Sequence, residues 1–157
     1  MIAVLQRAAS ASVAVEGAIV GAIDKGLLVL LGVGEGDTEH DAELLAAKIA
    51  KCRIFEDDGG KMNRSVIDVG GSVLVVSNFT LLPNYRRGNR PDFMGAAAPE
   101  RANALYLYFT ECLRREVAHV ATGEFGAHMV IDLKADGPIT IVMDSHILQQ
   151  PKKGVSQ

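Results

Sequence analysis

Two short apolar runs constrain the fold most: Leu27–Val33, LLVLLGV, and the start of residues 72–82, SVLVVSNFTLL. Neither alternates apolar with polar side chains, as a strand with one wet face would. Both read as core strands covered on both faces, so the chain must supply packing layers on either side. In the second run polarity arrives without a turn signal. Ser77, Asn78 and Thr80 place two hydroxyls and an amide directly after Val73–Val76. A buried polar group without a partner costs about 1–3 kcal/mol. These side chains therefore either cap the strand end and satisfy a nearby loop, or face a ligand where a core strand leaves its sheet. Residue types alone leave both readings open. If the strand ran on through Leu81, Asn78 and Thr80 would share one face, and Ser77 and Phe79 the other.

Around these runs, residues 2–15 read as two strands broken near Ala9–Ser10. Glu16-Gly17 is a tight turn into a third strand, AIVGAI, and Asp24-Lys25-Gly26 a turn into LLVLLGV. Thr38-Glu39-His40-Asp41 has the form of a helix start, and Ala42, Leu45, Ile49 and Cys52 continue it at helical spacing. Arg53–Glu56 is a short strand, 57–60 a turn and 61–65 a polar loop. Pro99-Glu100 opens a second helix whose apolar face carries Leu105, Tyr108, Phe109, Cys112 and Leu113. The pattern then predicts a strand over 125–133, a turn over Lys134–Pro138 and a strand over 139–143. Residues 146–157 lose periodicity and read as a tail.

The 157 residues suffice for one domain with a core, and no apolar run approaches the roughly 18–20 residues that span a bilayer. The N-terminal MIAVLQRAAS lacks the basic leader of a signal peptide. Cys52 and Cys112 stand far apart and read as reduced thiols, which points to the cytoplasm. A net charge of −3 argues against a surface that grips nucleic acid all over, and the absence of Trp argues against a broad base-stacking platform. One local exception stands out. Arg86, Arg87 and Arg90 fall within five residues of the Pro- and Gly-broken stretch 83–93. They read either as a phosphate or RNA-end contact or as a solvated basic loop.

Gly32-Val33-Gly34-Glu35-Gly36 lies between a strand and a helix, as a dinucleotide fingerprint would. Its spacing is GxGxG rather than GxGxxG, and Glu35, Asp37 and Glu39 oppose a pyrophosphate, so no nucleotide cofactor is expected. The four histidines have no metal-ligand spacing, and neither a metal nor any other cofactor is expected. No histidine, aspartate or lysine lies near Ser77 or Thr80 in sequence to act as a base. Chemistry there would rest on positioning and on backbone N–H donors, of which one alone is worth about 10²–10³ in rate.

The chain resembles the D-aminoacyl-tRNA deacylase family of the first type, along nearly all of residues 1–145. The resemblance is carried by IAVLQRA, GLLVLLGV, GGSVLVVSNFTL, RGNRPDF, PERANALY and TGEFGAHM. SNFTL stands for the family's SQFTL, and ADGPIT for its NxGPVT. It implies a compact single α/β domain over 1–145, with β-barrel-like, mostly antiparallel sheets and two flanking helices, and a tail over 146–157. It implies a cytoplasmic homodimer that cleaves the ester between a D-amino acid, or glycine, and the 3′-terminal adenosine of tRNA. Ser77, Asn78, Phe79 and Thr80 would form the catalytic floor. Gly137 and Pro138, cis in the family, would reach into the partner's pocket and exclude L side chains. Arg86, Arg87 and Arg90 would contact the tRNA. The family's chemistry uses either the threonine, here Thr80, as nucleophile or the tRNA's own 2′-hydroxyl. Three departures stand in the motifs: Asn78 for Gln, Ala135 for Asn and Ile139 for Val. The first two allow two other outcomes: a deacylase of relaxed specificity, or a dimeric module that binds the aminoacyl-tRNA end without turnover.

Overall fold

The computed structural model describes residues 1–151. The chain runs β1 (Ile2–Val15), β2 (Ala18–Ile23), β3 (Gly26–Gly32), α1 (Glu39–Ala50), β4 (Phe55–Glu56), β5 (Met62–Arg64) and β6 (Ser72–Ser77). A single 3-10 turn over Phe79–Leu81 follows, then α2 (Pro99–Glu116), β7 (Val120–Thr122), β8 (Val130–Asp144) and α3 (Ser145–Gln149). The main sheet has the order β2-β1-β3-β6-β7, with β8 along β1. Pairings to β1 are antiparallel; β3–β6 and β6–β7 are parallel. The free edges of β2 and β7 approach each other, because Gly21 has no Cβ to collide with the Thr122 carbonyl. The sheet is thereby nearly closed into a barrel.

The two apolar runs lie side by side, with Leu27–Leu31 in register with Val73–Ser77. Leu27, Val29, Leu31, Val73 and Val75 face the core beneath the helices, while Leu28, Leu74 and Val76 face the barrel interior. Both faces are covered, which is why the runs do not alternate. Tyr106 of α2 belongs to the same core, beside the apolar positions that helical spacing marks.

Several expectations need correction. Residues 2–15 form one strand, not two. Against β8 its register shifts between Ala8 and Ser10, a bulge at Ala9 that switches the barrel-facing positions from even (Ala8) to odd (Ala11, Val13), whereas before it the odd Ala3 and Leu5 lie under the helices. Residues 62–64, expected in a loop, pair with Phe55–Glu56. The strand expected from 125 begins at Val130, and the turn expected at 134–138 is absorbed into the continuous β8. Val120–Thr122, which lacks a long apolar run, is a further strand. The β6 strand stops at Ser77, so the proposed sharing of faces out to Leu81 does not hold. The tail expected from 146 starts as α3, capped by the Asp144 carboxylate accepting from the His146 amide at 2.9 Å. Its last residues, 152–157, lie outside the described residues. Among the described residues no helix is long and apolar enough to cross a membrane.

The start of α1 and α3 meet in a buried polar knot. The Asp41 carboxylate accepts from the Thr38 amide (2.8 Å), the Thr38 hydroxyl (2.9 Å), the Ser145 hydroxyl (2.7 Å) and the Gln149 amide (2.6 Å). Burial pushes the Asp41 carboxyl up, but the bonds from Ser145 and Thr38 outweigh it and hold it at about 2. A carboxyl lowered on folding adds stability above its unfolded value and loses it as pH falls through the folded one. The difference from 3.8 corresponds to about 2 kcal/mol. Urea unfolding should therefore show stability declining from about pH 4 to about pH 2. Asp41→Asn should be less stable at pH 7 and decline less steeply in acid.

Candidate active site

The polar residues after β6 turn the chain out of the sheet. The Asn78 amide is spent on the Leu31 carbonyl (2.8 Å), which ends the pairing with β3. The Asn78 side-chain carbonyl then accepts from the Thr80 amide at 3.1 Å and from the Thr80 hydroxyl. This caps the short helix, because a short amide side chain reaches the N–H two residues on. The Leu81 and Leu82 amides are spent on the carbonyls of Asn78 and Phe79. Among the described residues the Phe79 N–H, first in the turn, has no protein acceptor. It is the one amide of this segment left to polarise a bound carbonyl. The Thr80 hydroxyl, in contrast, donates to an amide oxygen, which cannot take a proton at neutral pH. Thr80 thus has a hydrogen-bond partner but no base.

A cavity of about 1040 Å³ opens beside this turn. Ser77, Asn78 and Phe79 form one wall; Thr80, tied to Asn78, lies just outside it. The opposite walls come from residues 93–98 with the start of α2, and from Phe125–Met129. The lining is mostly apolar, with Arg101, Tyr106 and His128 as its polar members besides Ser77, Asn78 and Glu35. The Tyr106 hydroxyl donates to the Val75 carbonyl at 3.0 Å, and burial pushes it up to about 12, so it serves as a donor and not as a base. His128 is the imidazole that the fold brings to the cavity; no hydrogen bond joins it to Thr80 among the described residues. Phe79 is 59% exposed and Met94 82% exposed at the mouth, and the Phe79 ring meets Phe93 edge to face at 5.3 Å. Two large apolar side chains on the lip suit a site that something covers.

Gly137 and Pro138 do not line this cavity of their own subunit. They stand in β8, where the register jumps: Ala8 pairs with Ala135 and Gln6 with Thr140, so Asp136, Gly137, Pro138 and Ile139 stand opposite Arg7 alone. The Gly137–Pro138 bond is cis. Gly137 has φ +128°, and a Cβ there would lie 2.7 Å from the Ile139 amide nitrogen, so glycine is required. Arg7 fills the space behind this bulge. It is buried, and it donates to the Asp136 carbonyl (3.2 Å) and the Ile54 carbonyl (2.9 Å), with the Asp136 carboxylate also at 3.2 Å. The brace that an asparagine at 135 would offer is thus supplied from across the sheet, and Ala135 simply pairs with Ala8.

Arg86, Arg87 and Arg90 lie outside the cavity, on the exposed loop that joins Leu82 to Phe93. Sequence reasoning missed Arg7, Arg101, Tyr106 and His128. Arg7 left a signal, as the one charge inside a strand of small and apolar residues. His128 left none, because only the fold brings it to the wall of the cavity that Ser77 also lines. A second cluster, also invisible in spacing, joins Asp37, Asp41 and His146. The Met1 ammonium donates to the Asp37 carboxylate at 2.7 Å and to the Ser145 hydroxyl at 2.8 Å, so this cluster already holds a cation.

Comparison with known proteins agrees with this geometry. The family model described as D-Tyr-tRNA(Tyr) deacylase matches residues 4–144. A D-aminoacyl-tRNA deacylase of Thermosipho melanesiensis is 55% identical over 146 residues, covering 92% of this chain and 97% of that protein. One of Thermus aquaticus is 56% identical over 145 residues, covering 92% and 95%. Among solved structures, one titled c-Myc DNA Unwinding Element Binding Protein superposes with a TM-score of 0.87 at 41% identity, over 92% of this chain and 98% of that one. A probable eukaryotic D-amino acid tRNA deacylase superposes with a TM-score of 0.78 at 16% identity, over 90% and 97%, which supports the fold. The match spans both the SNFTL turn and the Gly137–Pro138 bulge, and the chain belongs to the D-Tyr-tRNA(Tyr) deacylase family of enzymes.

Proposed function

We propose that this protein hydrolyses the ester that joins a D-amino acid to the 3′-terminal adenosine of tRNA. The observation that carries the reading is the Ser77–Phe79 turn, with its free Phe79 N–H, at the wall of a largely apolar cavity in a member of this family. The terminal adenosine enters the cavity and its ester carbonyl takes the Phe79 N–H. Water adds to the carbonyl carbon, and the Phe79 N–H stabilises the oxyanion that forms. The neighbouring 2′-hydroxyl of the substrate takes the water's proton as it passes its own to the 3′-oxygen. The bond to that oxygen breaks, releasing the D-amino acid and a tRNA with a free 3′-hydroxyl. Ser77 and Asn78 hold the floor. Thr80 positions Asn78 instead of attacking.

Stereochemical selection belongs to Gly137 and Pro138 of a second subunit, placed over the mouth where Phe79 and Met94 are exposed. A main-chain barrier rejects an L side chain whatever its chemistry, and lets glycine through because it has none. The working form is accordingly a homodimer, with no metal or nucleotide cofactor. Arg86, Arg87 and Arg90 contact the tRNA. Free Cys52 and Cys112 suit the reducing cytoplasm, where charged tRNA is found. The test is release of D-tyrosine from D-tyrosyl-tRNA by the purified protein. Turnover is the expected result; tight binding without release would make the chain a binding module, and equal release from L-tyrosyl-tRNA a deacylase of relaxed specificity.

A further inference from the structure

The 83–92 loop is more ordered in its chemistry than a solvated basic turn needs to be. Its neck is closed by a backbone pair between Asn84 and Asp92, at 2.7 and 2.9 Å, and by the Asn84 side-chain amide donating to the Asp92 carboxylate at 3.0 Å. The other Asp92 oxygen accepts from the Met94 amide at 3.2 Å, and the Asn84 side-chain carbonyl from the Arg86 amide at 3.3 Å. The loop's one carboxylate is thus spent on its neck. Its three guanidiniums, on Arg86, Arg87 and Arg90, meet no carboxylate and no hydrogen-bond acceptor among the described residues. Tyr85 stands beside them, 74% exposed. The loop's root is the lip of the cavity, since its far end returns at Phe93, edge to face with Phe79.

Free cations on the same loop as an exposed aromatic ring match a single-stranded nucleic acid, whose bases stack on the ring while its phosphates meet the charges. An acidic peptide would use the charges and leave the ring idle. We infer that this loop is a clamp for the unpaired 3′ strand of the tRNA, with Tyr85 stacking on a base upstream of the terminal adenosine and the three arginines on the adjoining phosphates. The inference rests on the reading of the cavity as the ester site, and it separates the work of the two regions. The loop binds RNA equally in ground and transition states, so it acts on KM and leaves kcat alone.

The test compares D-tyrosyl-tRNA with 3′-O-D-tyrosyl-adenosine, which has no upstream base or phosphate. Tyr85→Ala should raise KM for the tRNA about tenfold, as expected for one stacked base. The triple variant Arg86→Ala/Arg87→Ala/Arg90→Ala should flatten the dependence of log KM on log salt by about 2, at about 0.7 per phosphate contact on a single strand. Neither should change kcat, hydrolysis of the adenosine ester or the melting temperature. Equal KM for variants and parent on tRNA would overturn the inference, as would a parallel loss on the adenosine ester. Binding of uncharged tRNA reads the loop independently of hydrolysis. There the triple variant should bind more weakly with a flatter salt slope, and unchanged binding would overturn the clamp even in a protein that proved inactive. Inactivity of the parent on both esters, with tRNA binding still lost in the variants, would instead retire the ester reading and keep the clamp.

Discussion

Arg7→Ala is expected to lower the free energy of unfolding by about 3 kcal/mol, and to reduce deacylation further than that loss explains. Arg7 is 6% exposed, and its guanidinium is the partner of the Ile54 and Asp136 carbonyls. Removing it leaves those acceptors without their donor and opens a space behind residues 136–139. The buried Ile54 carbonyl left alone costs about 1–3 kcal/mol, and the part-buried Asp136 carbonyl and the lost packing of the arginine stem add to it. The Asp136 carboxylate is half exposed, so its share of the ion pair is screened and small. The functional consequence follows from the register. Asp136–Ile139 have no strand partner of their own and stand opposite Arg7. Without the guanidinium, the position of Gly137 and Pro138 is no longer fixed. Arg7→Lys should not restore it, because an ammonium is not a planar fork that reaches two carbonyls at once. Urea unfolding measures the first effect. Deacylation under conditions where the variant is fully folded measures the second. A loss of stability within about 1 kcal/mol, with normal selectivity, would show that the bulge holds itself.

The second large effect concerns the substrate. D-Tyrosyl-tRNA ending in 2′-deoxyadenosine should be cleaved about 10²–10⁴-fold more slowly than the ribo form, the range in which a positioned proton-transfer group contributes. Thr80→Ala should retain most activity on the ribo substrate. The reason is local: the Thr80 hydroxyl donates to the Asn78 carbonyl, and among the described residues no His, Asp or Glu accepts its proton. Its removal keeps the Asn78 cap on the Thr80 amide and loses only the hydroxyl's own bond to that oxygen, an effect of about 1 kcal/mol. Single-turnover rates for the four combinations of enzyme and substrate separate the two roles. Near-complete loss in folded Thr80→Ala, with the deoxy substrate cleaved normally by the parent, would assign the nucleophile to Thr80.

Much of this was legible in the chain itself. LLVLLGV and SVLVV announced two strands buried on both faces, and that is where they lie, in register in the middle of the sheet. The capping box at Thr38 and Asp41 announced α1. What escaped has a common physical cause. The bulge at Ala9 keeps a strand continuous while changing which face is buried, so its pattern looks like a break. Lys134–Pro138 carries turn residues, yet it is held within a strand by a distant arginine, which no local signal can reveal. The short helix after Ser77 depends on a side-chain cap two residues long, which pairs Asn78 with Thr80, and the free N–H beside them belongs to Phe79, whose side chain gave no polar signal. The cavity itself is assembled from β3, β6, residues 93–98, α2 and the 125–129 segment, and no single stretch contains it.

The most direct test of the account is the ratio of single-turnover rates on D-tyrosyl-tRNA and L-tyrosyl-tRNA under identical conditions. The account predicts that the D ester is cleaved at least about a hundredfold faster, a difference of roughly 3 kcal/mol between the two transition states. Equal rates, or a preference for the L ester, would contradict it.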